Sequence, residues 1–96
     1  MGLDARGGFP FVRQYVVPTA GAAYDAPFAV TKQIDIENAG SGALRVYFTE
    51  ADFDADANYV AVAASGSRSM PAEVRRIWMK AITLTAAVTV VFYERR

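Results

Sequence analysis

Hydrophobic and polar residues alternate with a period of two in the middle of the chain, as in a half-buried β-strand. Over residues 28–37 one face is apolar, apart from Lys32, and consists of Phe28, Val30, Ile34 and Ile36. The glycine-containing stretch 38–42 follows, and residues 43–49 resume the alternation. Their inner face would be formed by Leu44, Val46 and Phe48, with Tyr47 facing outward. This pattern predicts a β-hairpin with its turn at 38–42.

Further strands are predicted on both sides of the hairpin. Residues 11–17 are rich in β-branched and aromatic side chains and lie between two prolines, and residues 59–64 form a shorter apolar run. Residues 72–80 fit a short helix nearly as well as a strand, but their alternation and the all-β setting favour a strand. The Thr-rich and Val-rich run 82–93 predicts two strands, divided by a bend near Ala86 and Ala87.

The segments between these strands have loop compositions. Residues 19–27 are rich in Ala, Gly and Pro, residues 50–58 are acidic, and residues 65–69 read as a flexible turn. Seven to eight short strands without a convincing helix predict an all-β fold. We expect a single-domain antiparallel β-sandwich or jelly roll, with a small barrel as the other possibility.

The length of 96 residues and the 53% hydrophobic content suit one domain, which we place at residues 10–96. Residues 1–9 contain three glycines and no hydrophobic period, so they predict a flexible arm or a strand ordered by a partner. No secretory signal and no apolar run near the roughly 20 residues of a membrane-spanning helix is present. We therefore expect a soluble protein that does not act at a membrane.

The chain contains no His and no Cys. This composition excludes disulfides, thiolate nucleophiles, zinc fingers and Ser-His-Asp triads. Glycine-rich phosphate-binding motifs are also missing from the sequence. We therefore expect a protein that is not an enzyme and holds no cofactor.

The acidic segment 50–58 contains Asp52, Asp54 and Asp56, spaced like the first ligands of a calcium loop. The glycine and glutamate that such a loop needs are replaced by Ala57 and Ala63. A solvated acidic loop, with Phe53 tucked into the core as its anchor, is therefore favoured over a metal site, and the three aspartates are weak candidate ligands only.

Charge is distributed unevenly although its sum is zero. Residues 32–58 carry a net charge of −4, from six acidic and two basic residues, and residues 59–96 carry +4, from six basic and two acidic residues. Nucleic-acid binding is not expected, because the acidic half would repel phosphates. Self-association, in which a basic patch meets the acidic patch of a neighbour, accounts better for a neutral chain of this kind.

Contact residues are expected where the chain is mobile or where charge is concentrated. Our candidates are Arg6, Phe9, Arg68, Arg75, Arg76, Arg95 and Arg96. Trp78 is more typical of core or sandwich-edge packing than of a ligand platform, although a sugar-binding aromatic is an alternative.

Three stretches resemble small virion proteins of tailed bacteriophages. They are NAGSGALRVYF (38–48), PAEVRRIW (71–78) and VTVVFYERR (88–96), and the resemblance in style extends over residues 28–96. Capsid decoration, or cement, proteins are the nearest group. The resemblance implies a structural protein that oligomerises, often as a trimer, and binds the major capsid protein or other virion proteins. It places the chain in the virion, after synthesis in the cytoplasm of the bacterial host.

Two alternatives stay open. Within the same class, the chain could be a neck, tail or fibre-base component of the virion. From a different class, it could be a carbohydrate-binding β-sandwich module that uses Trp78 or an exposed Tyr to stack on sugar rings.

Overall fold

The computed structural model describes residues 10–26 and 31–94, which form eight strands and one short helix. The elements are β1 (Pro10–Val17), β2 (Ala22–Asp25), β3 (Thr31–Asn38), β4 (Leu44–Tyr47), α1 (Glu50–Ala55), β5 (Val60–Val62), β6 (Ser67–Pro71), β7 (Arg76–Ala81) and β8 (Ala86–Glu94). The predicted arm at residues 1–9 lies outside the described residues, as do Phe28 and Val30 of the predicted apolar face. None of the helical residues in the described ranges forms a segment that could cross a membrane.

The strands form two four-stranded antiparallel sheets. The first sheet has the order β1-β8-β3-β6, and the second has the order β2-β7-β4-β5. Only β4 and β5 are neighbours both in sequence and in a sheet; the other consecutive strands lie in opposite sheets. This connectivity is that of a double-sheet jelly roll. The predicted all-β sandwich or jelly roll is confirmed.

Apolar side chains from both sheets fill the space between them. Ile34 and Ile36 of β3 and Leu44 and Val46 of β4 are buried, so the inner faces predicted for these strands are confirmed. The remaining buried hydrophobic side chains of this cluster belong to Val17, Val62, Ile77, Met79, Ala81, Ala86, Val88, Val90 and Phe92. The alternation predicted within 72–80 is also confirmed, because Ile77 and Met79 point inward from β7.

The predicted β-hairpin is wrong. β3 pairs with β6 and β8, whereas β4 pairs with β5 and β7, so residues 38–42 cross from one sheet to the other. The physical reason lies in Asn38, whose side chain is fully buried and donates from Nδ2 to the carbonyl oxygen of Gly42 at 2.9 Å. Its Oδ1 accepts from the backbone N–H of Gly40 at 2.9 Å. These bonds stabilise a corner between sheets instead of a two-stranded turn.

Three further segments differ from the sequence predictions. β2 lies within the predicted loop 19–27, and β6 lies largely within the predicted flexible turn 65–69. β6 is an edge strand whose side chains are largely exposed, so backbone pairing with β3 holds it without a strong apolar alternation. The run 82–93 contains one strand, β8, because residues 82–85 form the turn that precedes it.

Candidate functional site

The outer face of the first sheet carries exposed apolar side chains along β1 and β8. Val12 is 56% exposed and Val16 is 71% exposed. In the register of the two strands, Val12 lies opposite Val91 and Val16 lies opposite Ala87. We call Val12, Val16, Ala87 and Val91 the apolar strip. A shallow depression of about 330 Å³ opens at the end of the strip that contains Val16 and Ala87.

A polar margin on β3 borders the apolar strip. Asp35 lies opposite Val91, and its carboxylate accepts hydrogen bonds from Gln33 Nε2 at 3.0 Å and from Tyr93 Oη at 2.9 Å. Partial burial opposes ionisation of Asp35, but hydrogen bonds from Ser69, Gln33 and Tyr93 outweigh it and lower the pKa of the carboxyl group. The outer face of the first sheet therefore has an apolar part, the apolar strip, and an anionic group beside it, Asp35.

The lowered pKa of Asp35 predicts a specific dependence of stability on pH. A carboxyl group whose pKa is depressed by folding stabilises the folded state above its unfolded pKa of about 4, and this stabilisation is lost as the pH falls through the folded pKa. We expect Asp35→Asn to be less stable than the wild type at neutral pH and the difference to shrink on acidification. Urea unfolding at a series of pH values measures it. A difference that is constant with pH would contradict the prediction.

The outer face of the second sheet is partly covered by α1. Thr49 caps the helix by accepting from the backbone N–H of Asp52 at 3.1 Å, and the helix ends where Asp56 takes a left-handed conformation. Phe53 packs edge-on against Tyr47, with ring centroids 5.4 Å apart. The sequence correctly places Tyr47 on the outer face, but α1 and Tyr59 cover it and leave it 0% exposed. The predicted acidic loop is thus a short helix, and Phe53 anchors it on the outer face of the sheet and not in the core, where the sequence predicted it.

Polar and cationic groups surround this aromatic cluster. Asp56 binds Arg45 Nη1 at 2.6 Å and accepts a short hydrogen bond from the Tyr47 hydroxyl. The bonds from Tyr47 and Arg45 lower the pKa of Asp56, whereas burial and the neighbouring carboxylate raise the pKa of Tyr47 to about 12. Lys80 Nζ lies 5.2 Å from the centroid of the Phe53 ring. The cluster ties the helix to the sheet.

The three candidate metal ligands of the acidic segment do not converge. Asp56 faces Arg45 and Tyr47, while Asp52 accepts a hydrogen bond from Asn58 at 3.1 Å. Asp54 lies in α1. Within residues 10–26 and 31–94, no group of three or more acidic side chains could hold a metal ion.

The outer face of the second sheet also contains an open cavity of about 600 Å³. Its described lining consists of Asp25, Ala26, Arg75, Arg76 and Trp78. Arg76 Nε donates to Asp25 Oδ1 at 2.6 Å across β2 and β7. Trp78 is partly buried and points outward from β7, so it does not pack in the core, the first of the two positions predicted for it, core or sandwich edge. We call this cavity the Trp78 pocket.

The structure brings only some of the predicted contact residues together. Arg75 and Arg76 line the Trp78 pocket, whereas Arg68 is exposed on β6 in the other sheet and binds the carbonyl oxygen of Ala61 at 3.3 Å. Arg6, Phe9, Arg95 and Arg96 lie outside the described residues.

The acidic and basic halves of the sequence do not form separate acidic and basic faces of the folded protein. Strand β7, from the basic half, lies between β2 and β4, and the acidic helix α1 packs on the same face. Opposite charges therefore pair within the molecule, as Arg76 does with Asp25 and Arg45 with Asp56.

The sequence analysis did not identify Asp25 or the apolar strip as parts of a candidate site. The valines on both faces of residues 11–17 were the available signal for the strip.

Comparison with known proteins gives information on the fold alone. Neither protein-family models nor curated proteins match this sequence. Among solved structures, the Cupin_2 domain of an XRE family transcriptional regulator from Enterobacter cloacae is similar, with a TM-score of 0.54 and 9% identity over 100% of this chain and 92% of that one. The chain has a jelly-roll fold similar to that of this domain. An HTH_3 family transcriptional regulator from Vibrio cholerae has a TM-score of 0.58 and 13% identity, and this chain covers 48% of its length.

A third similar structure, FeII HppE, is named with an iron ion; its TM-score is 0.50 at 13% identity, over 92% of this chain and 44% of that one. The residues of this jelly roll do not fit such a metal. The sequence offers no imidazole or thiolate ligand, and the buried side chains between the described strands are almost all apolar. None of these three proteins is named as a virion component, so the resemblance to virion proteins stays a prediction.

Proposed function

We propose that this protein is a structural subunit of a tailed-bacteriophage virion, a head decoration protein that associates with copies of itself and has no catalytic activity of its own. The observation that supports the proposal most directly is the apolar strip. Val12 and Val16 do not contribute to the hydrophobic core of the domain, because both side chains face solvent. Gln14 and Thr89 lie between the two apolar pairs of the strip, and exposed apolar side chains interspersed with polar groups are typical of protein interfaces.

The interior of the jelly roll supports a structural role as well. The inner faces of both sheets are filled by hydrophobic side chains, and the buried polar side chains within the described ranges are Thr31 and Asn38. Both are committed to the scaffold: Thr31 Oγ1 donates to the carbonyl oxygen of Ala72 at 2.6 Å, and Asn38 holds the corner between the sheets. A rigid sandwich that presents its outer faces fits a shell component.

The test is the mass of the protein in solution, measured by light scattering over a wide range of protein and salt concentrations. We expect a closed oligomer, such as a trimer, that persists at high salt because its contact is apolar. Val16→Asp should weaken this association about 100-fold, since it places a charge among the apolar side chains of the contact. Its fold, followed by circular dichroism, should be unchanged because Val16 is exposed.

Ala61→Asp is the matched control, because Ala61 is exposed on β5 in the other sheet. It should leave the oligomer intact. A wild-type protein that is monomeric at every concentration, or an oligomer that tolerates Val16→Asp as well as Ala61→Asp, would overturn self-association through the apolar strip.

The position in the virion requires a second experiment. Antibodies raised against this chain, applied to intact particles of the phage that encodes it, should label the head surface. Labelling confined to the neck, tail or fibre base would support the alternative position, and particles without any label would overturn the virion assignment.

A further inference from the structure

The Trp78 pocket combines an aromatic ring, two guanidinium groups and a carboxylate on one outer face. Its described lining is mostly polar, which does not suit a hydrophobic ligand. The volume of about 600 Å³ falls in the range of small-molecule sites. The apolar strip, on the outer face of the other sheet, does not include these side chains.

The Arg76–Asp25 pair gives the pocket fixed donors and an acceptor. The 2.6 Å bond uses Arg76 Nε and Asp25 Oδ1, so both terminal nitrogens of the guanidinium and Asp25 Oδ2 remain for a ligand. Both side chains are more than half exposed, at 54% and 69%, and can therefore be reached from solvent. The neighbouring Arg75 also lines the pocket, so its guanidinium provides a second cationic group.

The indole ring of Trp78 provides a flat apolar surface beside these polar groups. Its cross-strand neighbour on β2 is Ala23, a side chain too small to cover the ring. No aromatic or cationic side chain in the described ranges stacks on it. A partly exposed indole beside hydrogen-bonding groups suits a ligand with one apolar face and several polar edges.

We propose that the Trp78 pocket binds an acidic sugar, a pyranose ring that carries a carboxylate. The C–H face of the ring would pack on Trp78, the carboxylate would bind Arg75 and Arg76, and a ring hydroxyl would donate to Asp25. The described lining contains two arginines and one aspartate, an excess of one positive charge that suits one carboxylate. The free Asp25 oxygen favours a hydroxyl-bearing ligand over an acidic peptide, whose carboxylates it would repel.

Fluorescence provides a direct test because Trp78 is the only tryptophan in the chain. The full-length protein is titrated with a trimer of galacturonic acid, with the galactose trimer that lacks the carboxylates, and with an oligoglutamate peptide. We expect the acidic trimer to change the Trp78 emission with a dissociation constant of about 1 mM, as suits an exposed site. The galactose trimer should bind about tenfold more weakly, because it makes no charge-assisted bond.

Two variants locate the binding. Arg75→Gln should weaken binding of the acidic trimer about tenfold, whereas Arg68→Gln, on β6 in the other sheet, should leave it unchanged. Circular dichroism confirms that each variant is folded. The proposal is overturned if the acidic trimer leaves the Trp78 emission unchanged, if the galactose trimer binds equally well, if both variants behave alike, or if only oligoglutamate binds.

Discussion

Replacing Asn38 by Ala should lower the free energy of unfolding by about 3 kcal/mol, because the substitution leaves several buried polar groups without partners. The Asn38 side chain is 0% exposed. Its Nδ2 lies 2.9 Å from the carbonyl oxygen of Gly42 and 3.2 Å from that of Ala63, and its Oδ1 is 2.9 Å from the backbone nitrogen of Gly40. One side chain thus joins the end of β3 to the chain on both sides of β4 and β5.

Urea unfolding measures this loss, and two further variants show its cause. Asn38→Asp should also be strongly destabilised, since a carboxylate cannot donate to the surrounding carbonyl oxygens. Glu37→Ala changes the exposed neighbour on the same strand and should cost less than about 0.5 kcal/mol. A loss below about 1 kcal/mol for Asn38→Ala would mean that the corner does not depend on these hydrogen bonds.

The same corner explains why the inward faces of β3 and β4 were predictable and the strands that pair with them were not. Alternation in residues 28–37 and 43–49 reports which side chains face the core, and that prediction is confirmed for Ile34, Leu44 and their inward neighbours. A glycine-containing link between two strands of alternating apolar and polar residues is compatible with a hairpin and with a corner between two sheets. The choice is made by non-local contacts, chiefly the pairing of β3 with β8 near the end of the chain.

The candidate sites show the same division between local and non-local information. The sequence singles out Arg75, Arg76 and Trp78 individually, because residue type alone marks them. It does not indicate that Asp25 reaches Arg76, since β2 contains four residues and has no strong period. The burial of Tyr47 was equally inaccessible, because it results from a helix that packs on the outer face of the sheet.

Replacing Gly21 by Ala should destabilise the protein by about 2 kcal/mol, because two effects act together at this position. Gly21 has a φ of +84°, in the left-handed region that an L side chain rarely adopts. An added Cβ would also lie 2.5 Å from Cε1 and 2.6 Å from Cζ of the Phe53 ring, far inside van der Waals contact. The ring would have to leave its position against Tyr47.

A double-mutant cycle separates the backbone strain from the collision with α1. In a Phe53→Ala background the ring is gone, so Gly21→Ala should cost only the backbone penalty of about 1 kcal/mol. The two substitutions should then be non-additive by about 1 kcal/mol, measured by urea unfolding of the four proteins. Additive losses would mean that the position of the Phe53 ring does not require a glycine at residue 21. Non-additivity would establish that this loop glycine provides the space in which the helix is anchored to the second sheet.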